Sequence, residues 1–204
     1  MIHEIRTYDL LPRMVPEFER RFGEKLPGRL RFSPLGGLWH TEVGPLNQTI
    51  SIWPYDSMED RGETRRRARE AGAWPPDSGD LIASTVSEIF TPAPFMRPLG
   101  DMDIGPIYEM RLYTYAPEDI AIVLDSWGDH IEGREKLSPM AGCWYRESGG
   151  RYNFVHMWAY RSLDERMRIR AEATEKGLWP PKNSATPIEQ QTKILLPSSH
   201  SPMR

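Results

Sequence analysis

The chain has 204 residues, a formal net charge of −3 and charges of both signs interspersed along it. That balance excludes a global basic field of the kind that draws nucleic acid or an anionic membrane. The length suits one large domain or two small ones, and the lone cysteine, Cys143, rules out an intrachain disulfide and fits a reducing compartment.

The first residues, MIHEIRTYDL, enter a strand pattern at once, so no export or transit segment is expected. No apolar run approaches the roughly 18 residues of a membrane span. A cytoplasmic location is the expectation. In the opening strand, Ile2, Glu4, Arg6 and Tyr8 fall on one face and His3, Ile5 and Thr7 on the other, because strand side chains alternate. Pro12 follows, and then Phe18, Phe22 and Leu26 at i, i+4, i+8 mark the core stripe of a helix. Gly28-Arg29 is expected in the segment after that helix, and Ser33-Pro34 leads into a second strand with Trp39 and Glu42.

Gly44-Pro45 and Asn47 then form a turn, and Thr49 to Trp53 alternate as a third strand that ends in Trp53-x-Tyr55. Ser57 opens the next helix, with Asp60 three positions on as an approximate capping box. Arg65-Arg66-Arg67 with Arg69, flanked by Glu63 and Glu70, reads as a solvated helix face rather than a nucleic-acid patch. Gly72 suits a left-handed C-cap, Trp74-Pro75-Pro76 stops the helix, and a last strand is expected around Thr85 to Phe90.

The same grammar then returns. Pairing residue n with n + 105 from Ile2 to Pro92 needs no gap, and about 27 of roughly 91 pairs are identical. Ile107, Glu109, Arg111 and Tyr113 repeat the strand face, while Val123, Trp127 and Ile131 repeat the helix stripe. Gly133-Arg134, Trp144, Glu147, Trp158-x-Tyr160, Ser162, Gly177 and Trp179-Pro180-Pro181 repeat the rest. Identity confined to one strand face implies that this face has a fixed job. The order β-α-β-β-α-β is that of a ferredoxin-like unit. The predicted organisation is therefore a first unit over 1–92, a linker over 93–106 rich in proline and glycine, a second unit over 107–197 and a loose tail over 198–204. The fold class is α+β, with two tandem ferredoxin-like units forming an intrachain barrel, since each unit leaves one sheet face bare.

GPLNQTISIWPYDSMEDR, with EIRTY at the start and SPLGGLWHTEVG before it, closely resembles the NIPSNAP family of the dimeric α/β-barrel superfamily. The resemblance runs through both repeats and is stronger in the first; the second has Gly-Gly-Arg-Tyr-Asn at 149–153 where the first has GPLNQ. It implies the barrel fold first. Family members are linked to mitochondrial quality signalling and vesicle traffic in animals, and the bacterial ones mostly lack an assigned reaction. Wider barrel relatives include cofactor-free monooxygenases, muconolactone-type isomerases and haem enzymes, which are analogies of architecture. The second repeat has His156 where the first has Ser51, and the resemblance implies that His is common there.

In a split βαβ unit the first and third strands are neighbours. The expected site in the second repeat is therefore Glu109, Arg111 and Tyr113 with His156, flanked by Trp158 and Tyr160. The first repeat offers Glu4, Arg6, Tyr8 and Trp53 in the same places. His156, Arg111, Tyr113 and Glu109 are the candidate catalytic groups; Arg6, Tyr8, Glu4, Trp53, Trp158 and Tyr160 are candidate substrate contacts. Arginine presents a planar fork to a carboxylate or enolate, and a histidine of ordinary pKa suits proton transfer near neutral pH. A buried Glu–Arg pair that only sets strand register is the competing structural reading. No ligand-spaced Cys/His or carboxylate cluster points to a metal, no glycine-rich loop points to phosphate, and His130 on the helix reads as a surface residue.

Two function classes follow. One is a metal- and cofactor-free enzyme of monooxygenase or isomerase type acting on a small aromatic or apolar acid, which requires a cavity at His156 and Arg111. The other is a binding or adaptor protein with a filled barrel and an exposed apolar patch at the Trp-Pro-Pro segments. A homodimer is expected, with a monomer as the alternative, and neither nucleic acid nor membrane as partner.

Overall fold

Each copy of the repeat folds in the predicted order. A computed structural model describes residues 1–100, 102–147 and 149–204; Asp101, inside the predicted linker, and Ser148 lie outside the described residues. The first copy comprises β1 (Ile2–Leu10), α1 (Val15–Leu30), β2 (Gly37–Val43), β3 (Gln48–Tyr55), α2 (Met58–Glu70) and β4 (Ile82–Pro92). The second comprises β5 (Ile107–Thr114), α3 (Ile120–Glu135), β6 (Met140–Tyr145), β7 (Phe154–Tyr160), α4 (Leu163–Glu175) and β8 (Glu189–Pro197).

Two compact units result. The first holds Met1–Phe90, Leu99–Met102 and Leu196–Arg204, and the second holds Thr91–Pro98 and Asp103–Leu195. In the first, β1 pairs antiparallel with β3 and β4, and β3 with β2. In the second, β5 pairs with β7 and β8, and β7 with β6, again all antiparallel. Both are the sheet order of a ferredoxin-like unit.

The helix stripes are the cores. Phe18 and Phe22 of α1 and Val123 and Trp127 of α3 are almost fully buried, with Leu26 and Ile131 beside them. Each such side chain contributes about 1.5–3 kcal/mol on leaving water. The polar strand faces run beneath these helices, since the Tyr8 ring lies 4.9 Å from Phe18.

The helix punctuation follows from local chemistry. The Ser57 hydroxyl accepts from the Asp60 amide at 3.1 Å and the Ser162 hydroxyl from the Glu165 amide at 3.0 Å, which satisfies one free donor at each helix start. Gly72 and Gly177 both have φ +62°, a conformation that costs a residue with Cβ.

Two expectations are corrected. Gly28-Arg29 and Gly133-Arg134 do not follow their helices but form the last turns of α1 and α3, which turns both arginines inward, each 2% exposed. The tail is not loose. The Ser201 hydroxyl accepts from the Leu38 amide at 3.0 Å, the Ser198 amide donates to the Leu38 carbonyl at 3.0 Å, and Met203 is fully buried. These small polar residues read as a disordered terminus, yet they cap the backbone of β2. No helix among the described residues is long and apolar enough to cross a membrane.

Candidate functional site

The strand register places the candidate residues side by side. Arg6 lies opposite Ser51 and Glu4 opposite Trp53 in the first unit; Arg111 lies opposite His156 and Glu109 opposite Trp158 in the second. Each unit thus assembles its own set, and the helices complete it.

Both carboxylates are fully buried and act as hubs for arginine. Glu4 meets Arg6 at 3.2 Å, Arg61 at 2.7 Å and Arg65 at 3.0 Å, and accepts from the Ser87 hydroxyl. Burial pulls the Glu4 carboxyl upward, but the Arg61 and Ser87 hydrogen bonds and the Arg6 and Arg65 charges outweigh it and lower its pKa to about 2. Glu109 meets Arg166 at 2.5 Å, Arg111 at 3.4 Å and Arg170 at 3.5 Å. Each hub therefore sets three guanidinium groups against one carboxylate. A fourth arginine stands near each without a carboxylate. Arg29 stacks over Trp53 at 4.5 Å and donates to the Tyr55 hydroxyl at 2.9 Å. Arg134 stacks over Trp158 at 4.2 Å and donates to the Tyr160 and Ser138 hydroxyls at 3.1 and 2.8 Å.

These helix arginines were not among the expected site residues. Arg65 was read as part of a solvated face; Arg66, paired with Glu63 and Glu70, and the exposed Arg67 and Arg69 keep to that reading, while Arg65 reaches Glu4. The signal was available, because Arg29/Arg134, Arg61/Arg166 and Arg65/Arg170 are identical across the repeat.

The two units differ in the space above the sheet. In the second, a cavity of about 1000 Å³ is bounded by Arg111, Tyr113, Tyr115, Trp127, His156, Trp158 and Trp179, with Arg134 and Arg170 also facing it. In the first, the corresponding space is about 280 Å³, faced by Arg6, Tyr8, Phe18, Arg65 and Trp74 but by neither Ser51 nor Trp53. Phe18 and Leu81 fill the first unit where the second has Val123 and Thr186. Leu81 comes from a short 3-10 turn, Gly79–Leu81, that has no counterpart among the described residues of the second unit. The Trp-Pro-Pro segments are not exposed patches: Trp179 meets Trp127 at 4.4 Å and Trp158 at 5.7 Å, and Trp74 meets Phe22 at 4.9 Å.

His156 is 2% exposed and caged by Trp127 at 4.7 Å and Tyr113 at 5.0 Å, both edge-on. Its Nδ1 accepts from the Trp158 indole N–H at 2.8 Å. An indole nitrogen can only donate, so the neutral ring carries its proton on Nε2. That Nε2 is buried without a hydrogen-bond partner, and His156 lines the cavity. Burial, then the charges of Arg111, Arg170 and Arg134, hold the imidazole well below the ordinary histidine range. The imidazole thus departs from the ordinary pKa expected of it, and in this state its Nε2 is a hydrogen-bond donor. In the first unit, the Ser51 hydroxyl takes over the acceptor role toward Trp53 at 3.2 Å.

A haem iron needs an unprotonated axial donor. His156 has Nδ1 occupied by the Trp158 indole N–H and its proton on Nε2, and burial raises the Tyr113 and Tyr115 phenols away from the phenolate form. These three groups do not fit that role. His130 does not border the cavity; its Nδ1 donates to the Ser126 carbonyl at 2.8 Å, one turn back along α3.

Comparison with known proteins agrees with this architecture. The NIPSNAP sequence profile matches twice, over residues 3–97 and 108–202. The chain belongs to the NIPSNAP family. Relatives include a NipSnap homolog of Dictyostelium discoideum, 27% identical over 96% of this chain and 87% of that protein. Human NipSnap homolog 3B is 26% identical over 99% of this chain and 85% of that protein. Among solved structures, a putative monooxygenase from Lactobacillus acidophilus NCFM matches 97% of this chain and 94% of its own, with a TM-score of 0.66 at 9% identity. A likeness at that identity shows fold alone. The fold of this NIPSNAP protein is α+β, two tandem ferredoxin-like units of the dimeric α/β-barrel class.

Proposed function

We propose that the second unit binds a small aromatic or apolar carboxylic acid and converts it by proton transfer or by cofactor-free oxygenation. The observation that carries the reading is the charge balance of an aromatic cavity. Arg111, Arg134, Arg170 and Lys182 line it with Glu175 as the one carboxylate among the lining residues, Arg166 pairs with the buried Glu109 behind them, and tryptophan and tyrosine make much of the wall. An uncompensated guanidinium in a dry site is stabilised by an anion, and arginine binds a carboxylate in bidentate fashion. Stacked indoles and phenols suit a flat apolar body.

Within this reading Arg111 and Arg170 hold the acid group. Glu109 spaces and orients the arginines, its carboxylate being committed to them, and Tyr113 closes the wall beside Arg111, whose guanidinium lies 5.3 Å from the ring centre. Trp158 and Tyr160 support the site through Arg134. Glu4, Arg6, Tyr8 and Trp53 build the same frame in the first unit, where the smaller space favours a structural role.

Calorimetric titration with 2-naphthoate and with its neutral amide tests the charge argument. The acid is expected to bind about tenfold or more tightly, and the preference to vanish in Arg111→Ala. Equal binding of acid and amide would overturn the reading. Oxygen uptake and solvent deuterium incorporation then report conversion. Acids that bind while both readouts stay silent would favour the non-catalytic binding protein.

A further inference from the structure

We propose that the ligand of the second unit carries, besides its acid group, a second acceptor oxygen of carbonyl or phenolate type, which takes a hydrogen bond from His156 Nε2–H. This rests on the acid reading and adds to it the functional group that completes the substrate.

The argument begins with Trp158. Arg134 stacks on the indole at 4.2 Å and is itself held by the Tyr160 and Ser138 hydroxyls, so the indole has a fixed plane. Its N–H occupies His156 Nδ1 at 2.8 Å, which leaves Nε2 as the protonated nitrogen. That N–H is fully buried and has no hydrogen-bond partner in the protein, and His156 is one of the residues that line the cavity. A buried donor without an acceptor is costly, so unpaired donors of this kind mark places that a ligand satisfies. Trp127 and Tyr113 stand T-shaped to the imidazole with ring centres at 4.7 and 5.0 Å, and no lone-pair acceptor of the protein pairs with Nε2. A carbonyl or phenolate oxygen matches the donor; a methyl or methylene leaves it unpaired. The guanidinium groups claim the acid, and the imidazole claims the second oxygen. His156 is thus a specificity residue of fixed tautomer, and Trp158 is the positioning residue behind it. The first unit has Ser51 in this place, a hydroxyl that does not border the smaller space.

The test uses 3- and 4-acetylbenzoate against 3- and 4-isopropylbenzoate, pairs of nearly equal shape that differ in the carbonyl oxygen. On the full chain, an acetyl compound is expected to bind about tenfold more tightly than its isopropyl partner. His156→Gln, whose amide nitrogen replaces Nε2, keeps that preference, and His156→Phe brings the ratio to about one. Independently of any variant, the His156 Nε2–H resonance in ¹H–¹⁵N spectra moves downfield with the acetyl compound and not with the isopropyl one. Acids that bind with no carbonyl preference overturn this inference and leave the acid reading standing. A ring proton found on Nδ1 overturns it as well. Failure of every acid to bind removes the acid reading and this inference together.

Discussion

Opposite the central arginine of its first strand, one unit carries Ser51 and the other His156, within frames that otherwise match. Both units bury a glutamate among three arginines, stack a helix arginine on a tryptophan and fold a Trp-Pro-Pro segment against the core. They differ in filling. Phe18 lines about 280 Å³ in the first unit, with Leu81 buried nearby in the same core, whereas Thr186 lines about 1000 Å³ in the second and the buried Val123 takes the place of Phe18. The repeated polar residues are therefore common to both units and do not by themselves distinguish them. What separates scaffold from cavity is a few changes of side-chain volume and one donor.

The largest expected effect tests whether the buried hubs share a structural job. Glu4→Gln and Glu109→Gln each leave three arginines short of their carboxylate and should each cost about 3–5 kcal/mol in denaturant unfolding. A loss confined to one variant would break the equivalence of the two hubs. The next effect concerns volume. Transplanting the first unit's residues as Val123→Phe with Thr186→Leu should weaken binding of an aromatic acid by about tenfold or more with the fold intact. The reverse change, Phe18→Val, should cost about 1–3 kcal/mol of stability. A transplant that binds like the parent would show that filling does not distinguish the units.

The smallest effect is a pH slope. Folded His156 stays neutral while the unfolded imidazole protonates near 6.5, so the unfolded chain binds more protons and stability falls as pH drops below that value. His3, lowered to about 4 by burial and the N-terminal charge, acts in the same direction between those values. Glu4 adds a further loss as pH falls from about 4.5 to about 2, because its folded carboxyl is the stronger acid. His156→Gln should flatten the slope just below pH 6.5, and Ser51→Ala should leave it unchanged. An unchanged slope in His156→Gln would mean that the ring titrates normally in the folded protein.

Much of the frame was legible because it rests on local rules. Alternation in IHEIRTY placed Glu4, Arg6 and Tyr8 on one face, the stripe of Phe18, Phe22 and Leu26 gave the helix, and Ser57 and Gly72 marked where a helix starts and stops. The split βαβ order, which makes the first and third strands of a unit neighbours, brought Arg111 and His156 together. Other features depend on long-range packing that spacing does not encode. Arg65 and Arg66 are neighbours in one charged run, and only the tertiary fold turns the first toward Glu4 and the second toward solvent. Arg29 and Arg134 were expected after their helices, whereas the helices run through both. The tail looked loose by composition, yet Ser198 and Ser201 satisfy the backbone at Leu38. The larger cavity accompanies smaller side chains at Val123 and Thr186, a difference of volume that carries no signal in a single sequence. The state of His156 depends on which nitrogen Trp158 occupies, a matter of geometry alone.

The most direct test of the asymmetry is the stoichiometry of 2-naphthoate binding to the full chain, measured by calorimetry on the parent, Arg6→Ala and Arg111→Ala. The account predicts one equivalent per chain, lost or strongly weakened in Arg111→Ala and retained in Arg6→Ala. Two equivalents per chain, or equal losses in the two variants, would contradict it.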